Sequence, residues 1–124
     1  MRKRLLIEMG MGIDQHGQDP TNAARKAVKD AISRNYLTGL SEIAGLKHPS
    51  EMYVDVLIGV PFPHKVDPEA VLEALPYGHK TITVVEGGLL VQGGRVLPEL
   101  GDASGEIIIA NAAVTVSIED REST

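Results

Sequence analysis

The chain has no cysteine and no tryptophan, only one phenylalanine, Phe62, and aromatics make up 3% of its 124 residues. Without cysteine there is no disulfide, no thiolate metal site and no thiol nucleophile, a composition compatible with the cytosol. With so few aromatics, core volume must come from Val, Ile, Leu and Ala, which favours thin layers packed closely. The same scarcity removes the stacking platforms that single-stranded nucleic-acid binders use. The net charge of −5 opposes phosphate-backbone binding. No apolar run approaches the roughly 18 residues of a membrane helix. Met1-Arg2-Lys3-Arg4 is basic like the start of a signal peptide, but Leu5-Leu6-Ile7 is too short for its apolar segment and Glu8 follows at once. One cytoplasmic domain over 1–124, with a frayed tail over 119–124, and neither a membrane nor a nucleic-acid partner, is the expectation.

Leu5 to Met9 reads as a short strand running into Gly10 and Gly12. Asp19-Pro20 opens a helix, Asp as N-cap and Pro at the first helical position. Within it Ala24, Ala27, Val28, Ala31 and Ile32 form one apolar stripe. Leu37 to Ser50 reads as a loop with at most one helical turn, at Ser41 to Leu46. Met52 to Ile58 is a strand that Pro61 and Pro63 end. Asp67-Pro68 starts a second, short helix, with Val71, Leu72 and Leu75 facing inward and Pro76 after it. Thr81–Glu86, Gly87-Gly88 and Leu89–Gln92 read as a hairpin with a tight turn. Pro98 to Gly105 reads as a mobile polar loop, and Ile107 to Ile118 as a long final strand.

This order predicts an α+β fold, β-α-β-α-β-β-β, with a mixed sheet and two helices on one face. The other face, rich in Val and Ile, lacks cover, so self-association is expected. The order resembles the fold of Bacillus-type chorismate mutases and YjgF-like proteins. That resemblance implies a homotrimer with ligand sites between subunits. It does not extend to the mutase chemistry, which holds a dicarboxylate with arginines on the first strand and a late strand. Those strands here offer Glu8 and Asn111.

Met9 to Asp19 (M-G-M-G-I-D-Q-H-G-Q-D), Ile58-Gly59-Val60-Pro61, Pro76-Tyr77-Gly78 and Asn111 to Val116 resemble a small family of bacterial hypothetical proteins first named from Listeria. The resemblance spans nearly the whole chain but implies no particular reaction or cofactor.

The stretch Gly10 to Asp19 is the candidate site. From Met9 it gathers three glycines, two Asp, two Gln and one His where a strand meets a helix, a common place for ligands in α/β architectures. It is neither a dinucleotide fingerprint nor a phosphate loop. His16 would serve as general acid or base, oriented by Asp14 or Asp19. Gly10, Gly12, Gly17, Gln18, Glu86, Arg95 and Asn111 are the candidate ligand contacts, Arg95 as a carboxylate holder. A metal would need His64, Glu86 or a neighbouring subunit to add ligands to Asp14 and His16. Three readings stay open: an enzyme on a small polar metabolite, a non-catalytic ligand-binding or regulatory module, and a structural oligomer without ligand.

Overall fold

The computed structural model describes residues 1–119. Strand β1 (Arg2–Asp14) leads through a polar turn into helix α1 (Pro20–Ser33), and a short helix α2 (Thr38–Glu42) follows. Next come β2 (Tyr53–Gly59), α3 (Pro68–Leu72), β3 (His79–Val85), β4 (Leu89–Gln92) and β5 (Glu106–Glu119). The five strands form one mixed sheet of order β1-β5-β2-β3, with β4 off this path and paired with β5. β5 runs antiparallel to both β1 and β2, while β2 and β3 are parallel. α1 lies on β1 and β5, and α3 sits beside α1 and against β3. The expected α+β architecture is therefore present, with α2 at Thr38–Glu42 rather than a turn at Ser41 to Leu46. The expected tail falls outside the described residues beyond Glu119, which pairs with Arg2 at the end of β5.

Both expected helix starts are capped as their sequences require. Asp19 accepts from the Thr21 backbone N–H at 3.0 Å, and Asp67 accepts from that of Ala70 at 3.4 Å. Each cap satisfies one of the donors that an α-helix leaves open at its first turn.

The first strand is far longer than Leu5 to Met9. Gly10 and Gly12 do not open a loop; they sit inside β1, opposite Ala112 and Ala110 of β5. Their reason is the helix above them. A Cβ on Gly12 would stand 2.1 Å from the Ala23 carbonyl oxygen, and one on Gly10 2.3 Å from that of Ala27. Ala23, Ala24, Ala27 and Ala31 of α1 are fully enclosed. Glycine below and alanine above let helix and strand backbones approach to contact. This close packing replaces the missing aromatic volume.

The expected hairpin also does not form. β3 pairs only with β2, and β4 pairs with β5, continuing the line of β2 along that strand. Gly87 and Gly88 instead carry the chain past the end of β2. A Cβ on Gly87 would lie 3.0 Å from the Cα of Gly59, and one on Gly88 2.0 Å from the Ile109 carbonyl oxygen. A Gly-Gly pair suits a tight turn and a close crossing equally, and only non-local pairing decides between them.

Strand alternation puts Glu8, Gly10, Gly12 and Asp14 of β1 on the helix side and Ile7, Met9 and Met11 on the other. No element covers that second face among the described residues. Met9 is 70% exposed, Leu89 62% and Leu57 48%.

Gly12→Ala tests the helix–strand contact. The methyl meets backbone rather than a flexible side chain, so a loss of about 1–3 kcal/mol is expected. Urea unfolding of variant and parent measures it, and an unchanged midpoint contradicts the packing described.

Candidate functional site

β1 ends at Asp14, whose side chain is 4% exposed. Its carboxylate accepts from the Asp19 backbone N–H at 2.8 Å and from Asn22 Nδ2 at 2.6 Å. Asp14 thus fixes the start of α1. It does not orient His16, contrary to the expectation, because both its oxygens are engaged on the helix side.

The residue that orients His16 is Asp102, in the loop before β5. Its Oδ2 lies 2.7 Å from His16 Nδ1 and accepts from the Leu97 N–H at 2.9 Å. Its Oδ1 accepts from the Gly17 N–H at 2.8 Å and from Gln18 Nε2 at 2.9 Å. The Leu97 N–H, followed by the His16 ring, outweighs burial and holds the Asp102 carboxyl well below the usual carboxylate range, with Gly17 and Gln18 adding to the effect. An ionised carboxylate only accepts hydrogen bonds, so the His16 proton sits on Nδ1.

Gln18 braces the same junction. Its Nε2 also donates to the Ser104 and Glu106 carbonyls, both at 3.0 Å. Its Oε1 accepts from the backbone N–H of Ala103 at 2.9 Å and of Ser104 at 3.3 Å. The backbone of Gln18 is left-handed, with φ 49°, following Gly17 at φ 97°. A non-glycine residue holds that conformation only where its surroundings over-determine it, and the Gln18 amide bonds do so. Pro98 to Gly105, expected as a mobile polar loop, is an irregular segment between β4 and β5. It forms a short 3-10 turn at Pro98–Leu100 and is tied to the β1–α1 turn by Asp102 and Gln18.

His16 opens on a cleft of about 330 Å³ with Ile13, Val91, Arg95, Ile107 and Ile109. The ring side chain is 32% exposed, against 1% for Asp102. With Nδ1 engaged, Nε2 is the ring nitrogen left for the cleft. Arg95 shares this cleft within one chain, and no ion-pair partner faces it among the described residues.

The other candidates lie elsewhere. Gly10 and Gly12 are packing positions under α1, and Gly17 supplies an N–H and a left-handed turn rather than a ligand contact. Glu86 is exposed past β3, and Asn111 is exposed on the bare sheet face opposite Met11. His64 is exposed in a short turn, and His79 stacks on Tyr53 with ring centroids 5.0 Å apart. No group of three or more His, Asp or Glu stands at metal-binding distance among the described residues. Sequence reasoning missed Asp102. It lies between Gly101 and Ala103 in a segment without periodicity, and only the partners it meets distinguish it.

The depressed Asp102 pKa fixes a sign. Its stabilising contribution is complete above the unfolded carboxylate value of about 3.9 and is lost as pH falls through that value toward the folded one. The gap in urea midpoint between parent and Asp102→Asn is therefore widest near neutral pH and narrows below about pH 4. A gap independent of pH contradicts the charged network.

Comparison with known proteins places the chain. No protein with a curated description matches it. The crystal structure of an FtsZ-like protein of unknown function from Nostoc punctiforme has a TM-score of 0.87 and 59% sequence identity to it, covering 96% of this chain and 98% of that one. The family model described as conserved hypothetical protein (Lin0512_fam) matches residues 4–116, and the chain belongs to that family.

Proposed function

We propose that the protein acts on a small anionic metabolite in the His16 cleft. His16 Nε2 accepts and returns a proton, Asp102 is the positioning residue, and Arg95 holds a carboxylate or comparable group of the substrate. One observation carries this reading: a buried carboxylate engages Nδ1 of a half-exposed histidine that lines a cleft, so Nε2 is the nitrogen left to meet a ligand. That is the arrangement a general base requires, a fixed tautomer with its free nitrogen toward the reacting group. Arg95 supplies the anion preference, since its guanidinium matches carboxylate geometry in pairs of hydrogen bonds. A cytoplasmic site of action, expected from the cysteine-free sequence, belongs to the same proposal.

A second reading, a homo-oligomer of chorismate mutase-like form with the trimer favoured, rests on the bare sheet face. Ile7, Met9, Met11 and Leu57 expose apolar surface that a second copy would bury. Ile13, Ile107 and Ile109 lie at the end of this face and line the His16 cleft. An assembly through it would border the cleft with a neighbouring chain, as the resemblance to the mutase fold implies. In a purely structural oligomer the cleft would stay empty. In a regulatory module it would bind without turnover.

A panel of small carboxylic acids, followed by side-chain NMR of His16 and Arg95, separates these readings. At least one acid is expected to perturb both side chains in the parent, and neither His16→Ala nor Arg95→Ala is expected to bind it. His16→Ala should cost no more than about 1–3 kcal/mol, because Asp102 keeps its other donors. Binding that survives both substitutions, or no binding by any acid, contradicts the site. Light scattering on the same samples is expected to give a multiple of 13.3 kDa, and the mass of a single chain removes the oligomer.

A further inference from the structure

A second, open pocket lies on the helix side of the sheet, separate from the His16 cleft. It measures about 570 Å³, within the range of small-molecule sites. Val54 of β2 and Val114 and Val116 of β5 form its floor, and Ile32 and Leu75 close its sides. Glu8 of β1 reaches it from the same face, 6% exposed.

The buried carboxyl groups among the described residues are Glu8, Asp14 and Asp102, and they differ in how well they are satisfied. Asp102 accepts from Leu97, His16, Gly17 and Gln18, and Asp14 from Asp19 and Asn22. Glu8 accepts from one donor only, Asn35 Nδ2 at 2.6 Å on Oε2. No cation of the described residues pairs with it. Among the described residues no fully enclosed side-chain oxygen lacks a partner, so the undonated Oε1 is reached from the cavity that Glu8 lines. A carboxylate has room for about four hydrogen bonds, and burying its charge among valines is costly unless it is paired. An apolar residue would fill this place more stably. The glutamate therefore points to a partner that enters from outside.

We propose that this cavity binds a small organic amine. Its ammonium group donates to the open oxygen of Glu8, and its apolar body lies against the half-buried side chains of Ile32, Leu40 and Leu46. Lys47, His48 and Glu42 border the same pocket, but Glu8 sets the sign of its deep end, so an anionic group is excluded there. The claim is independent of the His16 cleft, which lies beyond the Asp14 end of β1 and on the other face.

Methyl NMR titration of the full chain with phenethylamine, phenylacetate and benzyl alcohol tests it. Phenethylamine is expected to shift the methyls of Ile32, Leu40 and Leu46 and to bind at least about tenfold more tightly than the other two. Glu8→Gln keeps an acceptor for Asn35 but loses the charge, and should weaken phenethylamine at least about tenfold. Phenylacetate binding as tightly, undiminished amine binding by Glu8→Gln, or no shift of these methyls overturns the proposal. The comparison of probes on the parent protein decides the charge preference even where the variant fails to fold.

Discussion

The Asp102 carboxylate is the point on which the described site depends. Two loops distant in sequence meet there, the turn after β1 and the segment before β5, joined by hydrogen bonds to its oxygens and by those of the Gln18 side chain. A buried ionised group is stabilising only when its acceptor sites are filled, and here backbone and side-chain donors fill them. The consequence reaches outward. With Asp102 in place, Gly17 and Gln18 are held in left-handed backbone and the His16 ring has one orientation.

A second constraint sets where that turn stands. α1 begins at Pro20 directly after it, and α1 lies against β1 so closely that only glycine fits beneath alanine. Asp14 ties the strand end to the first residues of the helix from the same side. Strand, turn and helix are thus tied to one another by contacts that do not involve the loop of Asp102. The site is rigid on its helix flank and open on its sheet flank, where Ile107 and Ile109 of β5 line the cleft.

Features with local chemical causes were legible in the sequence. Asp19-Pro20 and Asp67-Pro68 announced two helix starts, the alanine stripe announced the buried side of α1, and the bare sheet face followed from the count of layers. Features settled by distant partners were not. Gly10 and Gly12 read as loop because a glycine under a helix looks the same in sequence as a glycine in a turn. Gly87-Gly88 read as a hairpin because nothing local says that β4 will pair with β5. His16 and Arg95 were singled out from residue type and fell into one cleft. Asp102 and Glu8 were passed over as candidate site residues, since the significance of a buried carboxylate lies in the donors around it.

The central claim is that Asp102 fixes the His16 ring with its proton on Nδ1 and its free nitrogen toward the cleft. Ring nitrogen NMR of the full chain, at a pH where His16 is neutral, reads this directly. The arrangement predicts a protonated Nδ1 and an unprotonated Nε2, and Asp102→Asn is expected to abolish that preference. A His16 ring protonated on Nε2, or one that interconverts freely between tautomers in the parent protein, would contradict it.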